Sequence, residues 1–352
     1  MGGEAGRTGS ARPARPAGQA DRRGHHRPAH PRYRSHRHRR GARPRPPVLM
    51  PSEEHTMTVI DPAPGHLLER TEIPTTVKEL VHAIPGQEQH ALNPAEAPAR
   101  GDAVTAPYCP PWATYAEPTV AETFSLDGQT FYEPLVHEEP NPMLYPMCTV
   151  GIVFNSNGKR GSGVLVGPNL LLTAGHVAPW GASNWSMEFI PAFRNGDRPF
   201  GSSFVQSYWG YNPGGDVPTG YDYVICKLYN PLGNALGWMG SQSWGDEDEY
   251  YNRRYVSSGY PGSYGQRPAV ELDMGIRDID NDSPGKELEF ALRADLGPGW
   301  SGGPLWVHTA NPFVVGVCSG QEKDGLDPTR LVFAGGKGMV DVVRHGLTDM
   351  RP

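Results

Sequence analysis

Gly299-Trp300-Ser301-Gly302-Gly303-Pro304 decides the reading of this chain once it is set beside Thr173-Ala174-Gly175-His176, more than a hundred residues upstream. A serine hydroxyl is a weak nucleophile near neutral pH. It needs an imidazole to take its proton and backbone N–H groups to hold the oxyanion that forms. Glycines two before, one after and two after Ser301 suit a backbone bent tightly around an exposed side chain. They leave the Gly299 and Ser301 N–H groups free to converge on one oxygen. The pair of motifs therefore predicts acyl-transfer chemistry with Ser301 as nucleophile, His176 as base, and Gly299 and Ser301 as the oxyanion hole. A carboxylate should orient the imidazole and stabilise its protonated form. The best candidate is Asp222 in Gly220-Tyr221-Asp222-Tyr223-Val224-Ile225-Cys226-Lys227-Leu228, where an acid opens an apolar run that reads as a buried strand. Asp216, in the turn-like Gly214-Gly215-Asp216, is the alternative.

The order His, Asp, Ser, carried by TAGHV, YDYVICKL and GWSGGPLW, resembles the chymotrypsin-like (trypsin-fold) serine proteases over roughly residues 145 to 345. The lack of a dense cysteine framework, the Tyr145-Pro146 lead-in, the Gly259-Tyr260-Pro261 turn and the Gly161-Ser162-Gly163-Val164 strand look most like the bacterial glutamyl-endopeptidase-like (V8-like) branch. The resemblance implies a serine endopeptidase acting on polypeptides without a cofactor or metal. Three features depart from it. Trypsin-type zymogens carry an Asp just before the serine to receive a new N-terminal ammonium, and here that residue is Trp300. The V8-like branch carries a small polar residue there, so the indole bears on the shape of the oxyanion loop. The cysteine pair that brackets the histidine in animal trypsins is missing.

Asp295 lies six residues before Ser301, where the resemblance implies a carboxylate at the base of the substrate pocket. An ordinary loop acid accepting backbone hydrogen bonds is the equal alternative. The opposite wall should come from Phe313 to Gly320, with Ser319 and Gly320 lining it. Glutamyl-specific relatives place a histidine near Cys318, and its absence argues against strict glutamate specificity, since an unpaired buried acid repels a like charge.

The 352 residues exceed what a two-barrel domain requires, and 44 Gly with 37 Pro point to short strands and many turns. Strands are predicted at 149–154, 162–166, 170–173, 187–193, 223–228, 255–258, 269–274, 288–292, 305–307, 313–319 and 330–334. Asn157-Gly158, Gly167-Pro168-Asn169, Asn195-Gly196 and Asp282-Ser283-Pro284-Gly285 read as turns between them. The expected fold is all-β: two six-stranded antiparallel β-barrels, a short C-terminal helix over 338–344, and a long N-terminal extension.

Residues 1–50 are a different material, with 13 Arg against Glu4 and Asp21, a net +11, while the remainder carries −17. Such a Pro/Gly-rich basic segment cannot bury a core and is expected to be disordered. It reads as an anion-binding arm, as a weak metal binder through His25, His26, His30, His36 and His38, or as sequence upstream of a natural start at Met50 or Met57. Residues 51–144 form an extension, linker or pro-segment, and 145–352 the protease-like domain. Neither an apolar signal-peptide core nor a membrane-length apolar run is visible, so localisation is open, with secretion implied by the resemblance alone. Cys226 and Cys318 read as buried thiols, while Cys109 and Cys148 could link the Pro-rich segment to the first strand. No nucleic acid or membrane is expected to bind the folded domain, and a monomer is expected. Two rivals share these motifs: an inactive protease-fold module that binds peptides, and an esterase-like hydrolase.

Overall fold

The computed structural model describes residues 86–350 apart from 93–100, Thr114, 117–122, 127–128, 133–135, Pro140, 214–218, 283–284, 292–297, His308 and 325–326. The Arg-rich first fifty residues, Asp216 and Asp295 lie outside the described residues.

Nineteen strands are described. The N-terminal extension supplies β1 (Glu88–Ala91), β2 (Ala103–Thr105), β3 (Thr123–Leu126), β4 (Gln129–Tyr132) and β5 (Val136–Glu138). The first half holds β6 (Val150–Asn155), β7 (Arg160–Gly167), β8 (Leu170–Thr173), β9 (Met187–Pro191), β10 (Ser203–Gly210) and β11 (Val224–Leu228). The second holds β12 (Gly240–Ser243), β13 (Tyr255–Gly259), β14 (Ala269–Met274), β15 (Ile276–Asn281), β16 (Gly285–Ala291), β17 (Pro304–Val307), β18 (Phe313–Asp324) and β19 (Asp327–Gly336). A helix, Lys337–Asp349, ends the chain.

The first six core strands run β10-β11-β8-β7-β6-β9 and close through a β9–β10 pairing into a six-stranded barrel. Its turns follow local chemistry. Asn155 Oδ1 accepts the N–H groups of Asn157 and Lys159 at 3.0 and 3.1 Å, and Gly158 takes φ +76°, which folds β6 onto β7. β8 reads Leu-Leu-Leu-Thr and is wholly buried because both faces are covered. Leu171 points into the barrel interior with Phe189 and Tyr208, while Leu170 and Leu172 face a second core shared with the other half and the C-terminal helix.

The second half departs from the expected barrel. Its path is β15-β16-β19-β18-β17-β13-β14-β5, and among the described residues no pairing closes it. β5, from the extension, occupies the β14 edge that a closing strand would need. At the far edge β15 carries Arg277, Asp278 and Asp280 on a largely exposed strand, which blunts further pairing. The observed architecture is thus one closed six-stranded barrel and one open, curled eight-strand sheet. The extension is woven into both: β1 pairs in parallel with β10, and β2 pairs antiparallel with β12.

All four cysteines are free, so the Cys109–Cys148 link considered from sequence does not form. Cys148 is buried with its thiol directed at Leu236 O at 3.5 Å, while Cys109 is exposed. No helix among the described residues is long and apolar enough to cross a membrane.

Candidate active site

Sheet register brings His176 and Asp222 together. Thr173 at the end of β8 pairs with Val224 at the start of β11, so the residues just beyond both ends emerge side by side. His176 sits on a short 3-10 turn, Gly175–Val177, and Asp222 follows another, Thr219–Tyr221. The Asp222 Oδ2 accepts His176 Nδ1–H at 2.7 Å, while Oδ1 accepts the His176 backbone N–H at 2.9 Å. A third donor, Ser319 Oγ, reaches Oδ2 at 2.5 Å. The carboxylate is 5% exposed, and three donors compensate its burial. Gly175 permits this approach, since a Cβ there would lie 3.1 Å from Asp222 Oδ1 and 2.9 Å from Tyr211 O. The His176 side chain keeps 37% exposure, so the edge of the ring away from Asp222 is open to solvent.

Where trypsins use a disulfide beside this histidine, two hydrogen bonds hold the turn. Trp180 Nε1 donates to Gly175 O at 2.8 Å, and Asn155 Nδ2 donates to Val177 O at 2.5 Å.

The Ser301 turn is set against the same strands by backbone contacts. Gly302 has φ +83°, and a Cβ on it would come within 2.1 Å of Thr173 Oγ1 and 2.7 Å of Ala174 N. Only glycine lets the two motifs touch here. Ser162 ties them together: its N–H donates to Ser301 O at 2.7 Å, its Oγ donates to Gly299 O at 2.7 Å and accepts Tyr260 N–H at 2.8 Å, and its carbonyl accepts Thr173 Oγ1 at 2.6 Å. Gly302 N and Gly303 N are spent on Cys318 O and Trp300 O, both at 2.7 Å. Among the described residues the Gly299 and Ser301 N–H groups have no acceptor, as an oxyanion hole requires.

Trp300 answers the question its position raised. The indole is driven into the interior of the second sheet, 2% exposed, with Nε1–H donated to buried Ser257 Oγ at 2.9 Å. It packs on Gly259, where a Cβ would sit 3.0 Å from its ring. The side chain therefore anchors the turn from beneath.

Some expectations shift. Ser319, expected in the substrate pocket, commits its hydroxyl to Asp222. Gly320, next to it in the middle of β18, is half-buried, and nothing crowds it on its Cβ side. Cys318 is buried, and burial, followed by the nearby carboxylates of Asp222 and Glu271, pushes its thiol well up. Among the described residues no hydrogen bond joins Ser301 Oγ to the His176 ring, so the structure holds the two residues on adjoining segments without a contact between them. Ser162 had no role in the sequence reading beyond its strand. Its signal was a lone hydroxyl between two glycines in a strand with no polar face.

No known family model matches the sequence, and no curated protein matches it. Solved structures do resemble the fold. A Glu endopeptidase in complex with MPD aligns with TM-score 0.51 at 18% identity, covering 60% of this chain and 95% of its own. The protease Anisep from Arthrobacter nicotinovorans aligns at TM-score 0.44 and 19% identity, covering 55% of this chain and 93% of its own. A thermostable serine protease AL20 from an extremophilic microorganism aligns at 0.45 and 18%, covering 57% and 98%. At such identities the branches do not separate, and what the first alignment carries is the fold: the chain has the trypsin-like architecture, with an N-terminal extension added to it.

Proposed function

We propose that the chain is a serine endopeptidase. Ser301 attacks the scissile carbonyl, His176 accepts its proton and returns it to the leaving amine, and Asp222 holds the imidazole in the tautomer with Nδ1 protonated. Gly299 N–H and Ser301 N–H bind the oxyanion. The observation that carries this reading is the buried Asp222 carboxylate bonded to His176 through both ring and backbone. An imidazole so oriented has its other nitrogen ready as a base.

Ser319 is the other serine in reach of the pair, but it does not suit the nucleophile's role. Its hydroxyl donates to the oxygen that already accepts Nδ1–H, on the far side of the ring from Nε2. Ser301 has the glycine-rich turn and the free N–H groups beside it. The open Ser301–His176 contact favours a second reading, a peptide-binding module without turnover, although such contacts often tighten only with substrate.

Labelling of the full chain with a fluorophosphonate probe separates these. One adduct mapped to Ser301, retained in Ser319→Ala and lost in Ser301→Ala, supports the endopeptidase. No adduct on a folded chain supports the binding module, and an adduct with turnover of esters but not peptides supports an esterase.

A further inference from the structure

Arg160 opens β7 one residue before Gly161, and a Cβ on Gly161 would lie 2.8 Å from Ser301 O. The strand that carries this arginine therefore abuts the serine's own backbone. Its guanidinium lies along the oxyanion turn. Nε is 3.4 Å from the Cβ position of Gly299, Nη2 is 3.2 Å from that of Gly262, and Nη1 reaches Gly265 O only at 3.4 Å.

Counter-charges distinguish this arginine from its neighbours. Arg194, Arg198, Arg253, Arg267, Arg330 and Arg344 each pair with an Asp or Glu. Among the described residues Arg160 has no carboxylate within ion-pair distance. It is half-buried beside the site, where a cation without a counter-charge is costly to desolvate and gains most from an arriving anion.

The proton's path says which part of a substrate passes there. The leaving amine must receive its proton from His176, so the released side of the substrate lies over the first barrel, which also carries Arg160. The acyl side then lies toward the other half of the molecule. An extended chain advances about 3.3 Å per residue, so the first two released residues lie within reach of a guanidinium beside Gly299.

We propose that Arg160 is a specificity-determining residue that selects an Asp or Glu side chain within the first two residues on the leaving-group side of the cleaved bond. This rests on Ser301 being the nucleophile.

The test uses the full chain and quenched peptides identical on the acyl side, with Glu, Gln or Lys at each of the two released positions. The ratio of kcat/KM for Glu over Lys is read within each variant, so a general loss of activity cancels. Wild type is expected to favour Glu by about tenfold or more at one position, less as salt rises to about 0.5 M. Arg160→Lys should keep the sign of the preference, Arg160→Gln should flatten it, and Arg160→Glu should turn it toward Lys. A wild-type ratio near one overturns the proposal. So does a ratio that Arg160→Glu leaves unmoved while all peptides slow together, which would make Arg160 a brace for the Gly262–Gly265 turn. Fluorophosphonate labelling of Ser301 is followed in parallel. Its absence, with no peptide cut, overturns the endopeptidase reading and this proposal together, whereas labelling without the ratio change overturns this proposal alone.

Discussion

The closed barrel and the open sheet each bring part of the site, and they hold it by different means. In the first barrel His176 and Asp222 stand just beyond the paired ends of neighbouring strands, so ladder hydrogen bonds between two inner strands of the closed barrel fix their separation. The second half contributes a turn, Gly299–Gly303, that belongs to no ladder. What fixes it is one indole in the core beneath and backbone bonds to Ser162 and Cys318. The His176–Asp222 pair is thus a property of a sheet, whereas the Gly299–Gly303 turn depends on a few residues. Substitutions on the two sides should fail differently.

The largest expected effect is on the barrel side. Asp222→Asn keeps the shape but replaces a carboxylate that accepts from three donors, and it favours the wrong imidazole tautomer. In a trypsin the matching change lowers kcat by about 10⁴, and a loss of that order is expected here with the unfolding midpoint little changed. Ester hydrolysis by the folded variant checks it. A loss below about tenfold would break the claim that register-held geometry matters to the chemistry.

On the sheet side, activity and stability should fall together. Trp300→Ala removes a buried indole and is expected to cost about 3–5 kcal/mol of stability, read from denaturant midpoints. Trp300→Phe keeps most of the volume and loses only the Nε1–H bond to Ser257, a change of about 1 kcal/mol. If the indole positions the oxyanion turn, Trp300→Phe slows Ser301 labelling by more than the unfolded fraction explains. Labelling that merely tracks that fraction would reduce Trp300 to ordinary core.

Ser319→Ala is expected to be milder than either. It removes one of three donors to Asp222 and leaves the other two, so a loss of about tenfold in kcat is expected, with the adduct still on Ser301. Loss of all labelling in this variant would place the nucleophile at Ser319.

How much of this was legible follows the same division. The more apolar strands were readable, and 170–173 in the barrel and 269–274 in the open sheet match to the residue, because their side chains declare burial. β12, Gly-Ser-Gln-Ser, and β15, Ile-Arg-Asp-Ile-Asp-Asn, declare nothing of the kind, since edge and ladder positions can be met by polar residues. β10 was missed although its buried and half-buried positions largely alternate, as a period-two strand should. The open second half could not be foreseen from its own strands, because the residues that take its edge come from Val136–Glu138, far upstream in a Pro-rich region. At the site, residue types pointed to His176, Asp222 and Ser301, and the structure joins the first two by hydrogen bonds. The roles of Ser162, Ser257 and Ser319 were hidden, because a small hydroxyl reads alike on a turn, in a core or beneath a carboxylate until its partners are known.

Thiol chemistry offers the finest test of the comparison. Cys226 lies in the closed barrel and Cys318 in the open sheet, both buried and both with thiols raised well above the ordinary range, chiefly by desolvation. Cys148, also buried, is pushed up to about 12 by the same cause. Native chain should therefore take alkylating reagent at exposed Cys109 alone, and all four cysteines should react once unfolded. Below the unfolding transition, labelling of a buried thiol reports local opening. An open sheet whose edge is lent by β5 should open more readily than a closed barrel, so Cys318 is expected to label about tenfold faster than Cys226 in mild denaturant. Equal rates would mean that the two halves open as one unit, and that closure of the first barrel adds nothing to the local stability of its share of the site.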